Sequence, residues 1–245
     1  MLLKEVFDQL ACAELNNISV VDQTTKEIDP GQYRQVVTAI NAGLTEIHSR
    51  VLLRQGMLTV KLIPGQELYT LDKAYNVSAS KPDPKQFITA VPPFANDLLA
   101  VHEVKAKVYE PGFEKEVVLG LNNGSDYYNV EMPSYNQLFV PAKLQSEQKI
   151  TELLVSYRKN HKMLATCDND IDPECVGLTL PRSYLWALCL FVAARMHTPV
   201  GLQDATYSGN SFMAQFAQEL AQMQISGLSL SNIQVNEGVW RKGFP

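Results

Sequence analysis

The spacing of apolar residues changes twice along the chain, and this change constrains the fold more than any other feature. From Tyr33 to Val51 the apolar residues recur every three or four positions, which is the period of an α-helix. From Met57 the period falls to about two, and short runs of this kind continue to Tyr157. After Leu180 the helical spacing returns. The pattern predicts helices on both sides of a β segment, and therefore an α+β fold.

Two helices are predicted before the β segment. The apolar positions of the first lie on one side of a short helix: Leu3, Val6, Phe7, Leu10 and Ala13. The second is predicted to begin at Asp29-Pro30, an N-cap followed by proline at the first helical position. Gly56 is predicted to end it as a left-handed C-terminal cap.

Two more helices are predicted after the β segment. Leu180-Pro181 opens the first, Arg182–His197, which ends before the helix-breaking residues 198–201. The second is predicted to begin at about Asp204 or Ser208 and to end at Ile225. Its apolar stripe has helical spacing: Phe212, Phe216, Leu220 and Met223. Together the four helices are expected to form a small bundle.

Residues 57–158 are predicted to form an all-β domain of the sandwich or barrel type. Met57–Leu71 is predicted to be a hairpin that turns at Pro64-Gly65. Further short strands are predicted at Phe87–Val91, Leu98–Tyr109, Glu116–Leu121, Gln137–Val140 and Ile150–Tyr157. Because neither edge carries a Gly/Ser-rich or Pro-rich linker, we expect an insertion into one helical core. The predicted organisation is therefore residues 1–56 and 159–225 as bundle, 57–158 as insert and 226–245 as an extended C-terminal tail.

Composition excludes several classes of protein. The 245 residues carry a formal charge of −5, which argues against a chain whose main task is to neutralise nucleic-acid phosphates. The longest apolar run, Tyr184–Ala194, is shorter than the ~20 residues that a membrane span needs. The first residues lack the apolar stretch of a secretion signal, and no two cysteines form a C-x-x-C pair. We expect reduced thiols, no membrane contact and a chain that stays in the cytoplasm where it is made.

No motif predicts a catalytic, cofactor or metal site. Asp168, Asp170, Asp172 and Glu174 resemble the opening of a calcium loop, but Pro173 stands where the tight turn requires glycine. None of the four histidines has zinc-ligand spacing to another histidine or to a cysteine. His48 and His197 are interpreted as helix-surface or capping residues. Nucleotide-binding loops and nucleophile elbows are absent from the sequence, so we expect no enzyme and no cofactor.

The last two predicted helices are almost free of charge. Between Ser183 and Gln218 the only charged residues are Arg195 and Asp204, although 19% of the chain is charged. Because a solvent-facing helix usually carries charge on its outer side, we expect contact between subunits. The candidate interface residues are Tyr184, Trp186, Phe191, Phe212 and Phe216. The alternative is a central helix wrapped by the β insert within one chain.

The C-terminal tail has the composition of a docking segment. From Ser226 onwards it alternates apolar and polar residues, as strands donated to another chain do. It ends with Trp240 and Phe244 on either side of Arg241 and Lys242. In the alternative interpretation, the tail folds back on the β insert of its own chain.

Three segments of the chain are distinctive: Ile40–Gly56 (INAGLTEIHSRVLLRQG), Leu180–Gly201 (LPRSYLWALCLFVAARMHTPVG) and Phe212–Leu220 (FMAQFAQEL). They resemble the head-to-tail adaptor proteins of tailed bacteriophages, a group that includes the tail tubular proteins A of podoviruses. The aromatic and basic C-terminus is similar as well, as is the order of helices, β insert, helices and tail.

The resemblance implies a structural virion protein that forms a ring, usually of twelve copies, beneath the portal protein. It implies helices around the DNA channel, a β domain that projects outward or towards the tail, and a C-terminal tail that inserts into the portal. The implied partners are the portal protein, the tail or nozzle/tube protein and further copies of this chain. Val239, Trp240, Arg241 and Phe244 would then be the portal anchors. DNA would pass without sequence-specific binding, at the neck of a particle assembled in the host cytoplasm. The alternatives are another neck or tail-completion protein, or a hydrolase with Asp126 or Glu131 beside Tyr127 or Tyr128.

Overall fold

The chain divides into two compact units, each with its own hydrophobic core. The computed structural model describes residues 1–78, 83–110, 113–122, 129–147, 150–165, 172–197 and 203–226. Met1–Leu53 and the chain from His161 onwards form one unit, called here the helical unit. Arg54–Asn160 form the other, called here the sheet unit, so the sheet unit interrupts the helical unit in sequence.

Five α-helices are described, four of them in the helical unit. They are α1 (Leu3–Cys12), α2 (Tyr33–Arg50), α3 (Ala142–Glu147), α4 (Leu185–His197) and α5 (Gln203–Ile225). Short 3-10 turns precede α2 at Pro30–Gln32 and α4 at Arg182–Tyr184. In the described part of the chain, no helix has both the length and the hydropathy that a bilayer crossing requires.

The helical unit is built around α4, which packs against α1, α2 and α5. The predicted apolar positions of α1 are buried except Ala13, which lies beyond the helix end and is exposed. Gly43 of α2 allows close approach to α4, because a Cβ there would lie 2.8 Å from Leu188 Cδ1 and 2.9 Å from Phe191 Cδ1. The predicted stripe on α5 is confirmed: Phe216, Leu220 and Met223 are buried and Phe212 is partly buried.

The start of the second helix agrees with the prediction from the sequence, and its end does not. Asp29 Oδ1 accepts a hydrogen bond from Gly31 N at 2.8 Å, which caps the 3-10 turn leading into α2. The helix ends at Arg50, and Val51 has extended backbone with φ −117° and ψ 132°. The predicted helix cap at Gly56 is wrong, because Gly56 belongs to the first strand and packs against the ring of Tyr157.

Eight strands form one curled sheet that approaches half a barrel. They are β1 (Gln55–Lys61), β2 (Leu68–Thr70), β3 (Ile88–Thr89), β4 (Leu98–Glu110), β5 (Phe113–Leu121), β6 (Asn129–Ser134), β7 (Gln137–Phe139) and β8 (Glu152–Lys159). Their order across the sheet is β2-β7-β6-β5-β4-β8-β1-β3. Because the eight strands are continuous in one sheet, the sandwich alternative is wrong.

Two further expectations for this segment are corrected. The predicted hairpin of Met57–Leu71 does not form, because β1 pairs with β8 and β3 while β2 pairs with β7. The turn itself is present, and Gly65 has the positive φ of +83° that favours glycine there. The segment is also not all-β, since α3 lies between β7 and β8.

The sheet has one buried and one solvated face, as alternating apolar residues predict. Leu58, Val104 and Val155 lie in its core with almost no exposure. On the other face, Lys105 lies 3.4 Å from Glu103 and 3.8 Å from Glu116, in ion pairs that cross neighbouring positions. The solvated face of the sheet therefore carries charged side chains that pair with one another.

Candidate functional site

Packing within its own chain explains why α4 carries almost no charge. Nine of its residues are buried, on every side of the helix, because α1, α2 and α5 surround it. Arg195 and His197 lie in the last turn, where positive charge is favoured by the helix dipole. The Nε2 atom of His197 donates a hydrogen bond to the carbonyl oxygen of Glu14 at 3.0 Å. The alternative is therefore correct that Arg182–His197 includes a central helix of its own chain, and wrong that the β insert wraps it, because α1, α2 and α5 are the elements around it.

The five predicted interface residues divide into two groups. Tyr184, Phe191 and Phe216 are at most 7% exposed and contribute to the core of their own chain. Phe191 and Phe216 meet edge to face with ring centroids 5.2 Å apart. Phe212 is partly buried against His197, whereas Trp186 remains 43% exposed. Only Trp186 and part of Phe212 are left for contact with another molecule.

The outer face of α5 has an unusual composition. No exposed residue between Tyr207 and Ser226 carries a charge, and Glu219, the only charged residue in this stretch, is partly buried. Tyr207 and Ile225 are 79% and 84% exposed. Apart from Met213, which is 37% exposed, the other exposed positions before Ile225 are small or amide-bearing: Asn210, Ser211, Ala214, Gln215, Ala217, Gln218, Ala221, Gln222 and Gln224. A helix face of this kind can pack closely against another protein surface without desolvating a charge.

A cleft of about 670 Å³ lies between the first half of α2 and the last turn of α4. Ala39, Ala42 and Met196 line it with apolar groups. Its polar lining residues are amides, a hydroxyl and two guanidinium groups: Gln32, Gln35, Thr38, Arg34 and Arg195. No carboxylate is among the described lining residues, although the chain as a whole is acidic. The only sign of this cleft in the sequence is the row of small and uncharged polar residues along one side of α2.

A buried polar cluster joins α2 to the segment that returns from the sheet unit. The Asn41 amide donates to the carbonyl oxygen of Leu164 at 3.0 Å and accepts from the backbone nitrogen of Leu164 at 2.9 Å. His161 Nε2 lies 3.1 Å from Thr45 Oγ1. The ring of His48 lies 5.8 Å from that of His161 and is fully buried, so the predicted surface position of His48 is wrong. These groups hold the returning segment against α2.

The acidic loop is described only from residue 172 onwards. Asp172 Oδ1 accepts from the backbone nitrogen of Glu174, and its other oxygen accepts from Cys175 Sγ at 3.1 Å. These contacts hold the pKa of Asp172 below its ordinary value, the Cys175 contact being the larger cause. Asp168 and Asp170 lie outside the described residues. Within the described ranges, no group of three His, Cys, Asp or Glu side chains is arranged to hold a metal ion.

Two other sets of predicted residues lie wholly or mostly outside the described part of the chain. Val239, Trp240, Arg241 and Phe244 lie outside the described residues, as does the rest of the tail after Ser226. Glu131, a candidate acid of the hydrolase alternative, is exposed on β6, and its suggested partners Asp126, Tyr127 and Tyr128 also lie outside.

Comparison with known proteins adds no relative. The sequence matches no protein-family model and no curated protein.

Proposed function

We propose that this chain is a structural subunit of a phage head-tail connector, an adaptor that joins the portal to the tail. The proposed fold in finer terms is a helical bundle with an inserted β domain and an extended C-terminal tail. The proposed activity is assembly rather than catalysis. Copies of the bundle close into a ring around the DNA channel, and the tails dock into the portal at the neck of the virion.

The observation that carries this proposal is the outer face of α5. Its exposed residues, from Tyr207 to Ser226, carry no charge on a chain of which 19% is charged. Exposed surface on a monomer is normally rich in charge, whereas the centre of a protein interface is depleted in it. The face is therefore suited to burial against another subunit, as a ring requires.

The charge of the subunit supports passage of DNA through such a ring. A formal charge of −5 gives the chain no general attraction for phosphates. A strongly basic channel would retain the genome by counterion release, and its movement would become dependent on salt. A net acidic ring would let DNA slide past without sequence-specific binding.

The proposed portal anchors give a direct test. We expect a chain truncated after Ser226 to lose binding to the portal ring of the phage that encodes it, measured by cosedimentation. Trp240→Ala combined with Phe244→Ala should weaken binding in the same direction. Tyr135→Ala is the matched control, because Tyr135 is an exposed aromatic residue in the sheet unit, 69% exposed. Full binding by the truncated chain would contradict the anchor assignment, and no binding by the intact chain would contradict the adaptor function.

A further inference from the structure

We propose that the cleft between α2 and α4 binds a short acidic peptide segment of another protein, with its carboxylates on Arg34 and Arg195 and an apolar side chain on Ala39 and Met196. The proposal goes beyond the adaptor function and does not depend on it, because the cleft is a different part of the chain from the proposed portal anchors. It gives a ligand class to a cavity of about 670 Å³, a size typical of ligand sites.

The two guanidinium groups of the cleft have no negative partner in their own chain. Arg34 and Arg195 take part in none of the ion pairs formed among the described residues. The carboxylate nearest to Arg34 in sequence is that of Asp29, which does not line the cleft and already accepts a hydrogen bond from Gly31 N. Guanidinium groups bind carboxylates through two parallel hydrogen bonds, so two ligand carboxylates would match the two arginines.

The position of Arg34 is unfavourable for the helix that carries it. Arg34 is the second residue of α2, and the first turn of this helix contains no acidic residue. The N-terminal end of a helix dipole is positive, so a cation there lowers the stability of the helix. Arg195 lies at the favourable end of α4, and its guanidinium carbon is 5.9 Å from the centre of the Phe191 ring. Helix stability therefore explains Arg195 but not Arg34, whereas an anionic ligand in the cleft accounts for both.

The other lining residues favour a peptide over a phosphate group. Gln32 and Gln35 each carry an amide that both donates and accepts hydrogen bonds. A peptide backbone offers N–H donors and C=O acceptors, whereas an ionised phosphate offers only acceptors and leaves the amide oxygens unused. Ala39, Ala42 and Met196 add an apolar floor, on which an apolar side chain beside the ligand carboxylates would be buried.

The length of the cleft sets the length of the peptide. The lining positions on the α2 side run from Gln32 to Ala42, which corresponds to about 15 Å of helix. An extended chain advances about 3.3 Å per residue, so about four or five residues span this distance. The ligand is therefore a short linear segment of a partner.

Selection from a random peptide library tests the proposal. Heptapeptides displayed on yeast are selected for binding to the intact chain, and we expect enrichment of sequences that combine two carboxylates with an apolar residue. For the best of these peptides, Arg34→Glu combined with Arg195→Glu should raise the dissociation constant at least about a hundredfold, measured by fluorescence anisotropy. Thr38→Trp should also weaken binding, because it narrows the cleft without changing its charge. Far-UV circular dichroism checks that each variant is folded.

Lys73→Glu combined with Lys143→Glu is the matched control. Both lysines are exposed in the sheet unit, and the pair changes the net charge by the same amount as the arginine pair. This control should bind the peptide as the wild type does, and the arginine variant should instead bind a peptide in which lysines replace the carboxylates.

The proposal is overturned if selection enriches no acidic sequences, if the cleft variants bind the acidic peptide like the wild type, or if the lysine control loses binding to the same extent. A short DNA duplex is measured in parallel. A duplex that binds the wild type but not the arginine variant would assign the cleft to phosphates and reject the peptide. Portal binding is a separate measurement, so rejection of the peptide site leaves the adaptor function standing.

Discussion

At the scale of single residues, the carboxylate of Glu14 is in an unfavourable position in the helical unit, because it is buried. It is 9% exposed, and neither of its carboxylate oxygens has a hydrogen-bond partner among the described residues. Its backbone oxygen is used by His197, which ties the end of α1 to the last turn of α4. Burial raises the pKa of the Glu14 carboxyl above its ordinary value of 4.5.

Replacing Glu14 with glutamine should therefore stabilise the protein at neutral pH. A carboxyl with a raised pKa in the folded state contributes stability below pH 4.5, and this contribution is lost as the pH rises through the folded-state pKa. We expect Glu14→Gln to raise the free energy of unfolding by about 1 kcal/mol at pH 7. The advantage should shrink as the pH falls towards 4.5. Urea denaturation at both pH values measures the difference, and Glu131→Gln, at an exposed position, should have no effect. Equal urea midpoints at pH 7 would show that Glu14 is not penalised by burial.

At the scale of elements, Asn41 links α2 to the returning segment through two hydrogen bonds to the backbone of Leu164. Removing the amide leaves a partly buried backbone nitrogen and oxygen without these partners. We expect Asn41→Ala to lower the free energy of unfolding by about 1–3 kcal/mol. Thr38→Ala is the control on the same helix, because Thr38 is exposed and its hydroxyl donates only to Arg34 O. Guanidinium denaturation compares the two, and equal stabilities would mean that the Asn41 contacts contribute nothing.

Gly56 is needed where β1 crosses the ring of Tyr157. An added Cβ would lie 2.6 Å from the Tyr157 hydroxyl oxygen and closer still to the ring. That hydroxyl donates to Asp97 Oδ1 at 3.1 Å, and Asp97 also pairs with Lys159 at 2.8 Å, so a displaced ring disturbs both contacts. We expect Gly56→Ala to cost about 1–3 kcal/mol through overpacking. Gly177→Ala should be close to neutral in the same thermal melts, since no atom lies within 4 Å of its Cβ position. A neutral Gly56→Ala would show that the ring moves away freely.

The same elements show how far the sequence predicts this fold. Helical spacing is a local property, so α1, α2, α4 and α5 could be predicted to within a few residues. Strand partners are set by contacts far apart in sequence, and nothing near Met57 indicates that β1 pairs with β8. The role of Gly56 is ambiguous in the sequence, because glycine serves both as a helix cap and where a ring lies against the backbone. The cleft cannot be predicted from the sequence, because Arg34 and Arg195 lie on different helices and only folding brings them to one surface.

At the scale of the whole molecule, the two units should unfold separately. The sheet unit has its own core, and its first and last strands pair with each other, Gln55 opposite Arg158. The backbone nitrogen of Lys159 also donates to Arg54 O at 2.9 Å, which closes the unit at its two ends. We expect a fragment of residues 54–160 to show a β-type circular dichroism spectrum and a cooperative thermal transition. A spectrum of unfolded chain would mean that the sheet unit depends on the helical unit for its stability.

The adaptor function is the central claim, and it is tested most directly by cryo-electron microscopy of the purified chain mixed with the portal ring of its own phage. Our account predicts a symmetric collar of added density on the portal, with the C-terminal tails lodged in portal grooves and α5 at the contact between neighbouring copies. A portal that shows no added density, under conditions where the ring is intact and the chain is folded and in excess, would contradict the adaptor function.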